Sequence, residues 1–161
     1  MVHKRDFFTA LVYARTIPIM GRLAYLALKL LGIEIPRSVS IGEDFELAHG
    51  GFGVVIHSRS KIGDRVKVYP GVTIGRADIH RPIDKSQFEG IVIEDDVILS
   101  PGSKILCKEG TLFIRKGTVV GANAVLLNST MPEEIWVGIP AHCIGHRERD
   151  PEARFARDKR V

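Results

Sequence analysis

Six histidines and two cysteines are the side chains of this 161-residue chain whose ordinary pKa values lie nearest neutral pH. His49 stands out because it opens a His49-Gly50-Gly51 run, where flexible backbone can present an imidazole to solvent. His80 lies in the polar stretch "RADIHRPIDKSQFEG" from Arg76 to Gly90. His57 follows an aliphatic residue and reads as a surface turn residue, and His142 and His146 fall near the C-terminal end. Cys107 and Cys143 have neither metal-ligand spacing nor the density of a secreted disulfide scaffold, so a reducing cytoplasm is expected.

The elements that position these residues follow from a period of six. Aliphatic residues recur at Ile35, Ile41 and Leu47; at Ile56, Ile62, Val68 and Ile74; at Ile93, Leu99 and Ile105; and at Ile114, Val120 and Leu126. Neither the 3.6-residue helix period nor strand alternation produces this spacing. A left-handed parallel β-helix does. Three hexads make one triangular coil, and each inward aliphatic stacks on its counterpart one coil away, about 4.8 Å off. The fold class expected is therefore an all-β solenoid of hexapeptide repeats. The fifth hexad position must fit a tight corner, and it holds Val39, Ser60, Val66, Val72, Val97, Ser103, Thr118 and Ala124, with Phe45 as the large exception. Gly42, Gly63, Gly75 and Gly121 follow inward aliphatics, where a residue without Cβ turns most easily.

Three interruptions break the phase, and a regular coil needs none of them. They are the three extra residues at His49-Gly50-Gly51, the loop 76–90 expected to leave the coil, and three extra residues around "CKEGTLF" after Ile105. Ahead of the coil, residues 1–33 read as two short helices divided at Ile17-Pro18. Their apolar stripes and interspersed Lys4, Arg5, Arg15, Arg22 and Lys29 suit either a cap on the first coil, the favoured reading, or peripheral contact with an anionic membrane. Residues 34–145 form the solenoid and 146–161 a charged tail.

Composition narrows the partners. A net charge of +4 favours an anionic ligand. The basic residues are dispersed without aromatic interleaving, which argues against nucleic acid. No apolar run before residue 33 is long enough to span a bilayer, and none ends in a signal-peptide cleavage site.

From Glu34 to Gly145 the chain resembles the hexapeptide-repeat acyltransferases, and within them the serine O-acetyltransferase branch. The resemblance is strongest in "LAHGGFGVVIHSRSKIG" (Leu47 to Gly63), "VTIG" (Val72 to Gly75) and "VGIPA" (Val137 to Ala141). It implies a homotrimer that moves an acetyl group from acetyl-CoA to a hydroxyl acceptor without an acyl-enzyme. His49 takes the place of the family's general base, and Glu34, fifteen residues upstream, that of the acid orienting it. His80 resembles a loop histidine that related enzymes bring from a neighbouring subunit. The coenzyme's pantetheine arm is expected along Ser100, Gly102, Gly121 and Ala122, with Asn128 near the exit and Lys104, Arg115 and Lys116 as candidates for its phosphates. No metal site is expected, since His49, His57 and His80 lack the close pair of a zinc hydratase of the γ-class carbonic anhydrase type.

Two departures from the branch bear on the acceptor. The family's aspartate before the histidine is Ala48 here, and about thirty residues stand where the typical enzymes carry a large helical domain. Both point to a neutral acceptor, a sugar in surface polysaccharide synthesis, ahead of serine in cysteine biosynthesis. A noncatalytic scaffold is the alternative of another class.

Overall fold

A computed structural model describes residues 6–148 of the chain. Two helices, α1 (Phe7–Ala14) and α2 (Gly21–Leu30), precede a run of short strands that visit three sheets in a fixed cycle. The first face stacks Ser40–Ile41, Ser60–Ile62, Phe88–Ile93 and Gly110–Ile114. The second stacks Glu46–Leu47, Lys67–Val68, Ile98–Leu99 and Val119–Val120, then the antiparallel hairpin of Glu134–Gly138 and Ala141–His146. The third stacks Val55–Ile56, Thr73–Arg76, Lys104–Cys107 and Val125–Leu126. All pairings except that hairpin are parallel, and each turn of the chain lies directly on the one before it.

The register explains the period of six. Ile41, Ile62, Ile93 and Ile114 pair in one column; Leu47, Val68, Leu99 and Val120 in a second; Ile56, Ile74, Ile105 and Leu126 in a third. All are buried except Ile41, which packs against the core from its edge. The fifth-position residues are buried too, Phe45 among them. Phe45 is tolerated because it lies in the first coil, next to α1 instead of another coil.

The four glycines after inward aliphatics serve a different purpose from the one their positions suggest. None of Gly42, Gly63, Gly75 and Gly121 is in the left-handed region. Gly42 and Gly63 are needed because a Cβ would collide with the next coil, at Asp64 and Asp95 respectively, and Gly75 has open space around it.

The polar loop is shorter than 76–90. Arg76 ends one strand and Phe88, Glu89 and Gly90 begin another, leaving residues 77–87 outside the coil. Phe88 is buried, which draws the chain back inside. The extra residues after Ile105 stay within the coil, with one register shift between Gly110 and Thr111. They lengthen the strands Lys104–Cys107 and Gly110–Ile114 beneath the loop, paired with the equally lengthened strands of the coil before.

The helices close the open end of the coil. Val12 and Leu28 enter the core, and three polar side chains satisfy the exposed strand edge. The Tyr13 hydroxyl donates to Gly42 O at 2.6 Å and accepts from Phe45 N, while Thr9 Oγ1 accepts from Leu47 N. Buried Arg15 donates to the carbonyls of Val12, Pro36 and Val39. Burial pushes its pKa down to about 10, so it stays charged at neutral pH. A strand edge left unpaired would recruit other strands, and this cap prevents that. Among the described residues no helix is long and apolar enough to cross a membrane.

Candidate active site

His49 sits where the second face turns toward the third. The three extra residues close into a 3-10 turn, Ala48–Gly51, whose backbone runs left-handed at His49 (φ 52°, ψ 32°), Gly50 (φ 80°) and Gly51 (φ 63°). Glycine is required at position 51, because a Cβ there would press into the buried Leu47 side chain at 2.6 Å. A non-glycine residue with positive φ costs on the order of 1 kcal/mol, and such strain gathers at functional sites. The consequence here is that the imidazole projects to solvent instead of packing. Its ring centroid lies 5.8 Å from that of Tyr69 in the next coil, and among the described residues its nitrogens make no hydrogen bond. An exposed imidazole of this kind can take a proton from an incoming hydroxyl.

Glu34 lies on the same edge, one layer nearer the cap, with its backbone bonded to Val54 and Ile56. Within the chain the structure does not bring its carboxylate to His49. It pairs instead with Lys29 of α2 at 3.4 Å. Tyr25 first, then Glu34, hold the Lys29 ammonium above the usual lysine range.

Below His49 this edge descends as a strip of small residues. Gly53, Gly71, Gly102 and Asn123 all have positive φ and bond in series, Gly71 N to Phe52 O, Gly102 N to Pro70 O and Asn123 N to Pro101 O. Ser100 with Gly102, and Gly121 with Ala122, lie at two successive turns of the strip, so four of the residues expected to line a donor groove share an edge with the histidine. A Cβ on Gly102 would strike the Asn123 amide, so the strip cannot be thickened there. Lys104 reaches back with its Nζ donating to Gly71 O at 2.5 Å. Asn128 is exposed beyond the last strand of the third face.

Other candidates fall elsewhere. Arg115 and Lys116 stand at the corner between the first and second faces, away from the strip, where Glu94 accepts from the Arg115 guanidinium at 2.7 Å and from Lys116 N. His80 is exposed in the 77–87 loop, at the corner between the third and first faces. That loop is anchored by the buried Asp78, which accepts from Ser86 Oγ at 2.8 Å and pairs with Arg76 at 3.5 Å. The Ser86 bond chiefly, opposed by burial and aided by Arg76, holds the Asp78 carboxyl below the usual range. His57 is half-buried, edge-on to Phe88 at 4.8 Å, with its Nδ1 accepting from Arg59 N. It is a packing residue more than a surface turn. His142 and His146 are exposed on the terminal hairpin. Among the described residues no group of three His, Cys, Asp or Glu side chains is placed to hold a metal ion.

Tyr69 escaped the sequence reading although a signal was present. The residues following the inward aliphatics on the second face are Ala48, Tyr69, Ser100 and Gly121, and Tyr69 is the one large side chain among them.

With this geometry in place, comparison with known proteins gives a consistent result. No protein-family model matches the chain. A serine acetyltransferase of Staphylococcus xylosus is 37% identical over 113 residues, covering 70% of this chain and 48% of that protein. Soybean serine acetyltransferase complexed with serine superposes with a TM-score of 0.63 at 27% identity, covering 84% of this chain and 55% of that one. The serine acetyltransferase of Vibrio cholerae O1 biovar El Tor superposes with a TM-score of 0.71 at 24% identity over 88% of this chain and 54% of that one, which shows a shared fold. The chain spans about half the length of the relatives it matches. Across 70% of its length the chain is thus similar in sequence to the serine acetyltransferases, and it resembles the serine O-acetyltransferase-like branch of the hexapeptide-repeat acyltransferases.

Proposed function

We propose that this chain is an acetyl-CoA-dependent O-acetyltransferase, built on a left-handed β-helix and working as a homotrimer, that transfers an acetyl group to the hydroxyl of serine. The observation that carries this reading is the exposed His49 on its strained turn, at the head of a strip of small residues. It lies in a segment shared with relatives named serine acetyltransferase. The sugar acceptor expected from Ala48 gives way to serine on those relatives, which carry the name serine acetyltransferase.

In this mechanism His49 takes the proton of the acceptor hydroxyl as its oxygen attacks the thioester carbonyl. A C–O bond forms, backbone N–H groups stabilise the oxyanion, and the C–S bond then breaks. The coenzyme thiolate leaves with the proton returned by the imidazolium. The pantetheine arm runs along Ser100, Gly102, Gly121 and Ala122, past Lys104 and toward Asn128. Glu34 orients the imidazole after leaving Lys29, a solvent-exposed pair that contributes little to stability. An adjacent copy contributes its His80 across the groove between subunits. Ile79 and Ile83, exposed on either side of that histidine, are apolar surface that such a neighbour would cover.

The test is thiol release from acetyl-CoA with serine, homoserine and nucleotide sugars as separate acceptors. Release that depends on serine supports the reading. Release with a sugar alone keeps the transferase and overturns the acceptor, and no turnover together with no coenzyme A binding makes the chain a scaffold.

A further inference from the structure

The helical cap is apolar on both of its faces, and only the inner one is accounted for by the coil. Gly21, Ala24 and Leu28 of α2 face inward, whereas Leu23 is 70% exposed, Leu30 81%, and Leu26 lies between them on the outer side. The link between the helices extends this surface with Ile17, Ile19 (88% exposed) and Met20. A contiguous exposed apolar patch of this kind calls for an apolar covering.

Charge decides what covers it. No aspartate or glutamate occurs from Phe7 to Ile33, and the exposed Arg22 and Lys29 border the patch, Lys29 in an exposed pair with Glu34 at its rim. A second copy docked symmetrically on the same face would bring like charges together. A bilayer carrying anionic headgroups offers the complement to both features, hydrocarbon for Ile19, Met20 and Leu23 and negative charge for Arg22 and Lys29.

We propose that the outer face of the α1–α2 cap is a membrane-docking surface that inserts the Ile17, Ile19, Met20, Leu23, Leu26 and Leu30 side chains into the interface of an anionic bilayer. This placement does not depend on the reaction catalysed. It sets the His49 turn close to the membrane, since Phe8 of α1 packs edge-on against Phe52 at 5.3 Å, three residues past the histidine.

The full chain is sedimented with vesicles of phosphatidylglycerol mixed with phosphatidylcholine and with phosphatidylcholine alone. The wild type is expected to pellet with the anionic vesicles, and Arg22→Ala with Lys29→Ala to weaken its partitioning about tenfold or more. Ile19→Ser with Leu23→Ser, both at exposed positions, is expected to leave the circular dichroism unchanged and abolish pelleting. A wild type that stays in solution with anionic vesicles overturns the proposal, and a lower sedimentation mass of the Ile19→Ser, Leu23→Ser variant would then assign the patch to a second copy. Binding that survives the serine pair, or that is indifferent to lipid charge, overturns it as well.

Discussion

At the corner between the first and second faces, Asp44, Arg65, Asp96, Gly117 and Glu133 adopt positive φ one above another; between the second and third faces, Gly53, Gly71, Gly102 and Asn123 do the same. Both ladders use the same backbone bond from each coil to the one before, 2.7–2.9 Å for Arg65, Asp96, Gly117 and Glu133 at the first corner and 2.8–3.0 Å at the second. Their side chains differ. At the first corner Arg65 bonds Asp96 at 2.8 Å, Asp64 accepts from Glu43 N, Asp95 accepts from Asp64 N, and Glu94 accepts from the Arg115 guanidinium and from Lys116 N. That edge satisfies itself with its own charges. The second edge has small side chains, a lysine turned onto a backbone carbonyl and an exposed histidine at its head. One turn geometry therefore carries a charged clasp in one place and a strip of mostly small side chains in the other, and residue type alone separates the two.

The largest break in this comparison should come at the head of the second corner. His49→Ala is expected to lower turnover about 10²-fold or more while the sedimentation mass stays constant, as for a lost general base. Gly51→Ala comes next. It places a side chain at φ 63° against Leu47, so a loss of about 2 kcal/mol in denaturant unfolding should accompany a displaced histidine and reduced turnover. Arg65→Met at the first corner removes a half-exposed charged bond. Its cost should be about 1 kcal/mol with turnover unchanged.

The third corner supplies the smallest effect, seen in pH. Burial against Phe88, then the charges of Arg59 and Arg76, keep the His57 pKa below its ordinary value. The unfolded chain therefore binds this proton first. The contribution to stability is complete above about pH 6.5 and is lost as pH falls through the folded value. His57→Gln should flatten the decline in melting temperature between about pH 7 and 5 relative to wild type.

Much of this organisation is legible in the residues. The inward columns are visible at six-residue spacing because every coil offers the same cavity, and the fifth-position residues because the corner admits little volume. The break at His49-Gly50-Gly51 marks the turn that presents the histidine. What the sequence hides depends on contacts between distant layers. The reason for Gly42 and Gly63 lies in Asp64 and Asp95 one coil on. Arg15 looks like a surface charge on a helix until three carbonyls of the cap and first coil surround it. Arg115 looks available to a phosphate until Glu94 is seen holding its guanidinium. Glu34 has the right spacing to His49, but spacing along the chain does not reveal the Lys29 that α2 places beside it.

The most direct test of the account is coenzyme A affinity measured by titration calorimetry on wild type and two matched variants, Ala122→Trp on the open edge and Lys116→Trp on the charged edge of the same coil, both at exposed positions. The open-groove account predicts that Ala122→Trp weakens binding about tenfold or more while Lys116→Trp leaves it unchanged. Binding that tolerates tryptophan at position 122 but fails with it at position 116 would contradict the account and move the donor site to the charged corner.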